Sequence, residues 1–211
     1  MCKVLPAYHD FTGDDYEAAF NRKGKVNPLK LLIEDQQSMD AFGMLGHSES
    51  LSHDLINGIS RFVCRMYSTV KTRDQTDCVN KKRYLSLLSK IPKKGKNIIK
   101  KLKSFDPTTM PPCRDALTQK IRRVNLITHL KINSHLRVIP CWDPVLHGWT
   151  IEDNKLVPVW FLGDRVPEEL YHEDDETDDD DDEEEEEKKE DEDETNSDSE
   201  SDSDDDERFY E

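Results

Sequence analysis

LSHDLINGISRFVCRMY, residues 51–67, decides the fold class. Leu51, Leu55, Ile59, Phe62, Val63 and Met66 recur at three- and four-residue intervals, so they share one face of a helix. Asp54, Arg61 and Arg65 mark its polar face. Such a stripe must be buried against other elements, and the chain supplies them on both sides.

Downstream, a second long helix is expected from Arg114 or Asp115 to about Ile132, with Pro112 just ahead of it. Its stripe is Leu117, Ile121, Val124 and Ile127 or Thr128. Upstream, residues 1–12 read as an extended entry, and Asp14 or Asp15 as the cap of a brief helix through Phe20. Lys23-Gly24-Lys25 reads as a turn, and Pro28 begins a helix carrying Leu29, Leu31, Leu32 and Ile33. Ser38 caps another short helix, through Leu45. GWTIEDNKLVPVW reads as a β-hairpin, with strands Trp149–Ile151 and Leu156–Trp160 about a turn at Glu152–Lys155. Pro158 confines the second strand to an edge. No internal repeat interrupts this order. The expected fold is a small, mainly α domain with one C-terminal hairpin. Its segments are 1–50, 51–112 and 113–172, followed by a tail at 173–211.

Charge separates the tail from the rest. Residues 173–211 hold 27 acidic and 3 basic residues, a net −24, while residues 1–172 hold 27 basic and 19 acidic, a net +8. With few apolar residues before Phe209 and Tyr210, the tail is expected to be disordered. It reads either as a solubilising extension or as a binder of basic proteins such as histones. It is also able to compete with nucleic acid for the basic body. Ser197, Ser199, Ser201 and Ser203 each precede an acidic residue by three positions, a pattern that resembles casein-kinase-type phosphoacceptor sites.

Five widely spaced cysteines (Cys2, Cys64, Cys78, Cys113 and Cys141) form no C-x-x-C pair. They read as reduced thiols of a nuclear or cytosolic protein, with the nucleus favoured, rather than as a zinc site or a disulfide framework. No apolar run is long enough to span a bilayer. Residues 81–103 contain ten Lys or Arg and no acid. Pro92 and Gly95 divide the segment into two short helices. Lys81, Lys82, Arg83, Lys93, Lys94 and Lys96 are therefore candidates for sequence-independent, salt-sensitive phosphate contacts. The other reading of the segment is a solvated or partly packed helical pair.

TGDDYEAAFNRKGKVNPLKLL, residues 12–32, carries the remaining chemistry. Adjacent carboxylates at Asp14 and Asp15 are able to hold Mg²⁺ when other acidic ligands join them. Arg22, Lys23, Gly24 and Lys25 offer positive charge and backbone N–H groups to a phosphate. The bland alternative is a capped turn between short helices. His9 is either a further ligand or a solvated side chain. Trp142, Trp149 and Trp160 either stack on bases or pack the hairpin.

The order of these motifs resembles the segment that follows the catalytic core in flap endonuclease (XPG-type) structure-specific nucleases. It is similar in particular to uncharacterised nuclease-like proteins of animal genomes rich in mobile elements. The matching residues are His9, Thr12, Gly13, Asp15, Lys23, Gly24, Lys25, Lys120 to Asn125, Gly148, Trp149, Leu156 and Trp160. The resemblance implies a helix-two-turns-helix-like start, a metal-binding role for Asp15 and a phosphate-holding role for Lys23-Gly24-Lys25. Arg22 departs from it, standing where a Gly is expected, so a positive φ there is strained. Asp14 replaces a small residue. The family's other metal carboxylates precede this motif, which here begins about ten residues from Met1. Two-metal hydrolysis needs several carboxylates to fix two ions about 4 Å apart. The expectation is therefore a non-catalytic remnant that binds nucleic acid weakly and holds no cofactor alone, with Mg²⁺ at Asp15 only if further ligands are supplied. An active Mg²⁺-dependent nuclease and a tail-based protein-interaction module are the competing readings.

Overall fold

Residues 3–73, 75–89 and 106–163 are described in a computed structural model. The 51–67 stripe becomes the central helix of a set of six α-helices and one hairpin among these residues. The helices are α1 (Leu5–Phe11), α2 (Val26–Ile33), α3 (Gln36–Met44), α4 (His53–Met66), α5 (Val79–Leu88) and α6 (Arg114–Ile132). Single 3-10 turns lie at Val70–Thr72, Pro107–Thr109 and Pro144–His147. The expected second basic helix, with Lys93, Lys94 and Lys96, lies outside the described residues, as does the acidic tail with its four serines.

Ser52 starts α4 by accepting the Leu55 N–H at 3.1 Å, a side-chain cap on a helix whose first turn also carries Asp54. Leu55, Ile59, Phe62, Val63 and Met66 are all buried. They join Tyr8 and Phe11 of α1, Leu32 of α2, Ala41 and Phe42 of α3, Val79 of α5, and Leu117, Ile121 and Val124 of α6 in one core. At its centre Tyr8, Phe11, Phe42 and Phe62 meet edge to face, with ring centroids 5.1–6.3 Å apart. That separation suits the quadrupoles of aromatic rings.

The α2–α3 corner is locked onto α4 by Asp35. Its carboxylate accepts the Ser38 hydroxyl and, at 3.1 Å, the Arg61 Nε–H, with Arg65 at 3.8 Å. Burial pushes the Asp35 carboxyl up, but Ser38, Arg61 and Arg65 outweigh it and hold it below the ordinary value. Arg65, assigned to the polar face of α4 by spacing, is thus drawn inside.

Helices α3 and α4 approach closely where Ala41 faces Gly58: a Cβ on Gly58 would lie 2.5 Å from the Ala41 Cβ. Gly58→Ala should therefore destabilise the protein by about 1–3 kcal/mol through overpacking. This is so although alanine is the better helix former by about 1 kcal/mol. Urea unfolding of the variant is the check, and a gain in midpoint would refute the close contact.

Two local expectations are corrected. Residues 5–11 are helical rather than extended. Pro6 occupies the first turn, and Val4, Ala7, Tyr8 and Phe11 form a buried stripe at helical spacing. Residues 14–20 form no helix. Asp14 does cap, accepting the N–H groups of Tyr16 and Glu17 at 2.9 and 3.0 Å. The chain then leaves the helical path because the Ala18 carbonyl accepts Lys120 Nζ at 2.7 Å and the Glu17 carboxylate is drawn inward.

The hairpin pairs β1 (Trp149–Glu152) with β2 (Lys155–Pro158), antiparallel, from Trp149↔Pro158 to Glu152↔Lys155. Asp153 and Asn154 both take positive φ (48° and 63°), the two-residue turn that matches strand twist. Ahead of it, Trp142 stacks on His129 at 3.7 Å, with His147 5.3 Å away on a nearly parallel plane.

Candidate nucleic-acid interface

The basic turn between α1 and α2 is held from several directions. The Tyr8 hydroxyl donates to the Lys25 carbonyl, and Lys25 Nζ donates to the His9 carbonyl at 3.3 Å. Asn21 Nδ2 donates to Thr108 Oγ1 at 2.5 Å, tying the turn to the segment that leads into α6. Gly24 has φ 58°, and Arg22 has φ 56°. The latter is the left-handed conformation that the missing glycine would have adopted more easily.

This turn and the start of α5 come together. Lys23 lies 4.1 Å over the Tyr67 ring. Its pKa is pushed below the ordinary lysine value, first by burial and then by the nearby Lys82 ammonium. Lys82 is itself buried, and burial lowers it too. Arg83 donates to the Pro111 carbonyl at 2.8 Å, and Lys81 is exposed. Among the described residues, none of Arg22, Lys23, Lys25, Lys81, Lys82 and Arg83 has a carboxylate within ion-pair distance. Asp106 feels Arg22 of this group. Thr108 hydrogen bonds, with a smaller contribution from Arg22, hold it below the ordinary value.

The acidic residues are arranged differently. His9, Asp10 and Asp14 place ligand atoms within 4.8 Å of one another. Asp15, the residue matched to a metal ligand, is exposed and outside this group. Lys131 of α6 fills the space between the two carboxylates, donating to Asp10 and, at 2.6 Å, to Asp14. Burial raises the Asp10 carboxyl against the pull of Lys131 and Thr128. On Asp14 the upward push of burial is outweighed by Lys131 and the two backbone N–H groups, and the carboxyl falls below its ordinary value. A magnesium ion takes six ligands at about 2.0–2.1 Å, mostly oxygen and water. Two carboxylates and an imidazole already bridged by an ammonium do not fit it.

A third acid, Glu17, was not among the candidates and proves central. It is 3% exposed, and its carboxylate accepts Lys120 Nζ at 3.2 Å and two guanidinium nitrogens of Arg123. Arg123, 1% exposed, also donates to the carbonyls of Val159 and Gly148, the latter at 3.5 Å. Its guanidinium carbon lies 4.8 Å from the centre of the Trp160 ring. Gly13 packs alongside with φ 113°, where a Cβ would come within 2.6 Å of Ala19. Asn125 accepts the Gly46 N–H at 2.7 Å and donates to the Ser48 carbonyl at 2.8 Å. Gly13, Lys120, Arg123 and Gly148, which carry part of the resemblance, thus take part in a buried junction between the 13–20 loop, α6 and the hairpin, with the exposed Trp160 at its edge, whereas Asn125 ties α6 to the 46–48 loop. The available signal was in α6, where Lys120 and Arg123 flank Ile121 and Val124 on the buried side.

Compared with protein-family models, curated proteins and solved structures, the chain matches none. Among the described residues, no helix is long and apolar enough to cross a membrane.

Proposed function

We propose that this chain is a non-catalytic, nuclease-like protein that binds nucleic acid through the phosphate backbone. The observation that carries the reading is Lys23 of the turn over the Tyr67 ring of the hollow that Arg83 also lines, with the buried Lys82 close enough to lower the Lys23 pKa and the exposed Lys81 next to it in α5. These cations come from segments more than fifty residues apart in sequence, and none has a carboxylate partner among the described residues. Clustered ammonium and guanidinium groups that repel one another are relieved by a polyanion, which also releases counterions. Lys93, Lys94 and Lys96, the other candidates of the basic segment, lie outside the described residues. The non-catalytic part of the reading is supported by the acid cluster, where Lys131 lies between Asp10 and Asp14. The −24 tail opposes binding as an internal polyanion.

Fluorescence anisotropy of the full chain with labelled oligonucleotides tests the reading. With about four phosphates engaged on a single strand, log K should fall against log salt with a slope of about −3. Affinity then drops roughly 50-fold between about 50 and 200 mM salt. Lys23→Gln and Lys81→Gln should each make the slope shallower by about one contact. Absence of binding at about 50 mM salt would overturn the proposal. So would Mg²⁺-dependent cleavage, for its non-catalytic part. Capture of histones that survives both substitutions but fails without residues 173–211 would favour the tail as the working element.

A further inference from the structure

We infer that the hollow beside the cationic turn receives an unstacked nucleobase, which makes single-stranded nucleic acid the preferred ligand. The inference rests on the backbone-binding reading and adds a base-holding site to it.

The hollow measures about 450 Å³, within the roughly 300–1,000 Å³ of small-molecule sites. Its walls include Phe20, Tyr67, Met110 and Trp160, and Asn21, Arg83 and the Glu17-paired Lys120 and Arg123 also line it. Two of the candidate phosphate ligands therefore belong to it or border it: Arg83 directly, and Lys23 through its position over the Tyr67 ring. An apolar slot with unpaired cations at its edge is complementary to a nucleotide, flat and uncharged at one end and anionic at the other. An apolar peptide side chain would leave those cations unused.

Trp160 is the decisive wall. Trp142 is engaged by two imidazoles and Trp149 is half-buried in the hairpin, whereas Trp160 is 57% exposed. The Arg123 guanidinium backs its ring at 4.8 Å, and Glu17 fixes that guanidinium from behind. An indole supported in this way is a preformed stacking surface, and every base has a π-face to offer it. Polar groups are present for the base edge. Asn21 keeps its Oδ1 free of the Thr108 contact, and Arg83 uses one nitrogen on Pro111 and has others to give. A base within a duplex is already stacked and cannot enter without being extruded.

The test compares, on the full chain, an oligothymidylate of about 12 nucleotides, an abasic strand of equal length and a duplex. The abasic strand keeps the phosphates and lacks the bases. It should bind roughly tenfold more weakly at the same salt, with an unchanged salt slope. Trp160→Ala should bring oligothymidylate down to the abasic level, while Trp160→Phe should keep most of the difference. Equal binding of the two strands, or duplex binding as tight as single-strand binding, overturns the base site and leaves the phosphate reading standing. Failure of every strand to bind overturns both. The abasic comparison uses the unaltered chain, so it decides the question even if a Trp160 variant misfolds.

Discussion

Glu17→Ala is expected to cost about 3–5 kcal/mol of folding stability, because it leaves two buried cations without their counter-charge. Lys120 and Arg123 are 8% and 1% exposed, so water cannot take the place of the carboxylate. Burial already pulls Lys120 below its ordinary pKa against the attraction of Glu17. Removing that attraction makes the charged form costlier still. The damage should spread beyond the pair, since Arg123 also holds the carbonyls of Gly148 and Val159 at the open end of the hairpin. With a thermal shift of about 2–4 °C per kcal/mol for a domain of this size, the midpoint should fall by roughly 6–20 °C. Circular dichroism melts provide the measurement. A triple replacement of Glu17, Lys120 and Arg123 by apolar residues of similar volume should recover much of the loss, because no charge is then stranded. A midpoint within about 2 °C of the parent for Glu17→Ala would show that the charges reach solvent after all.

The second large effect belongs to the aromatic core. Phe42 is fully buried and touches Tyr8, Phe11 and Phe62, with centroids at 6.1, 5.3 and 5.1 Å. Phe42→Ala removes the ring that joins α1, α3 and α4 and leaves a cavity, for a cost of about 3–5 kcal/mol. Against a typical total of about 5–15 kcal/mol, this leaves a marginal protein. Phe42→Leu, which fills most of the space, should lose much less. Chemical unfolding of both variants distinguishes packing from a generic effect of substitution: equal losses would mean that the ring's shape does not matter at this position.

The long elements were legible because their burial is periodic. The stripes of α4 and α6 show as apolar residues at helical spacing, and the hairpin is marked by Asp153-Asn154 between alternating residues. The positive φ of Arg22 was expected only through the resemblance, in which a glycine stands at that position. The early segment was harder to read. Seven residues make too short a window for periodicity to stand out, so the Val4, Ala7, Tyr8 and Phe11 stripe passed for an extended run. The brief helix expected after Asp14 fails for a long-range reason: Lys120 and Arg123, over a hundred residues away, draw Glu17 and the Ala18 carbonyl out of the helical path. Local propensity carries no trace of such a partner. The acid cluster was half visible. Asp14 belongs to it, Asp15 does not, and Lys131 could be placed only once α1 and α6 were seen side by side.

Lys131 has an effect that reaches past its own neighbours. By answering Asp10 and Asp14 on the spot, it offsets one of their two negative charges, much as Glu17 and Asp35 are answered elsewhere in the body. Among the described residues, Lys23 and Lys81 have no such carboxylate answer. If the chain binds a polyanion as proposed, these cations rather than the acid cluster would orient the ligand as it approaches.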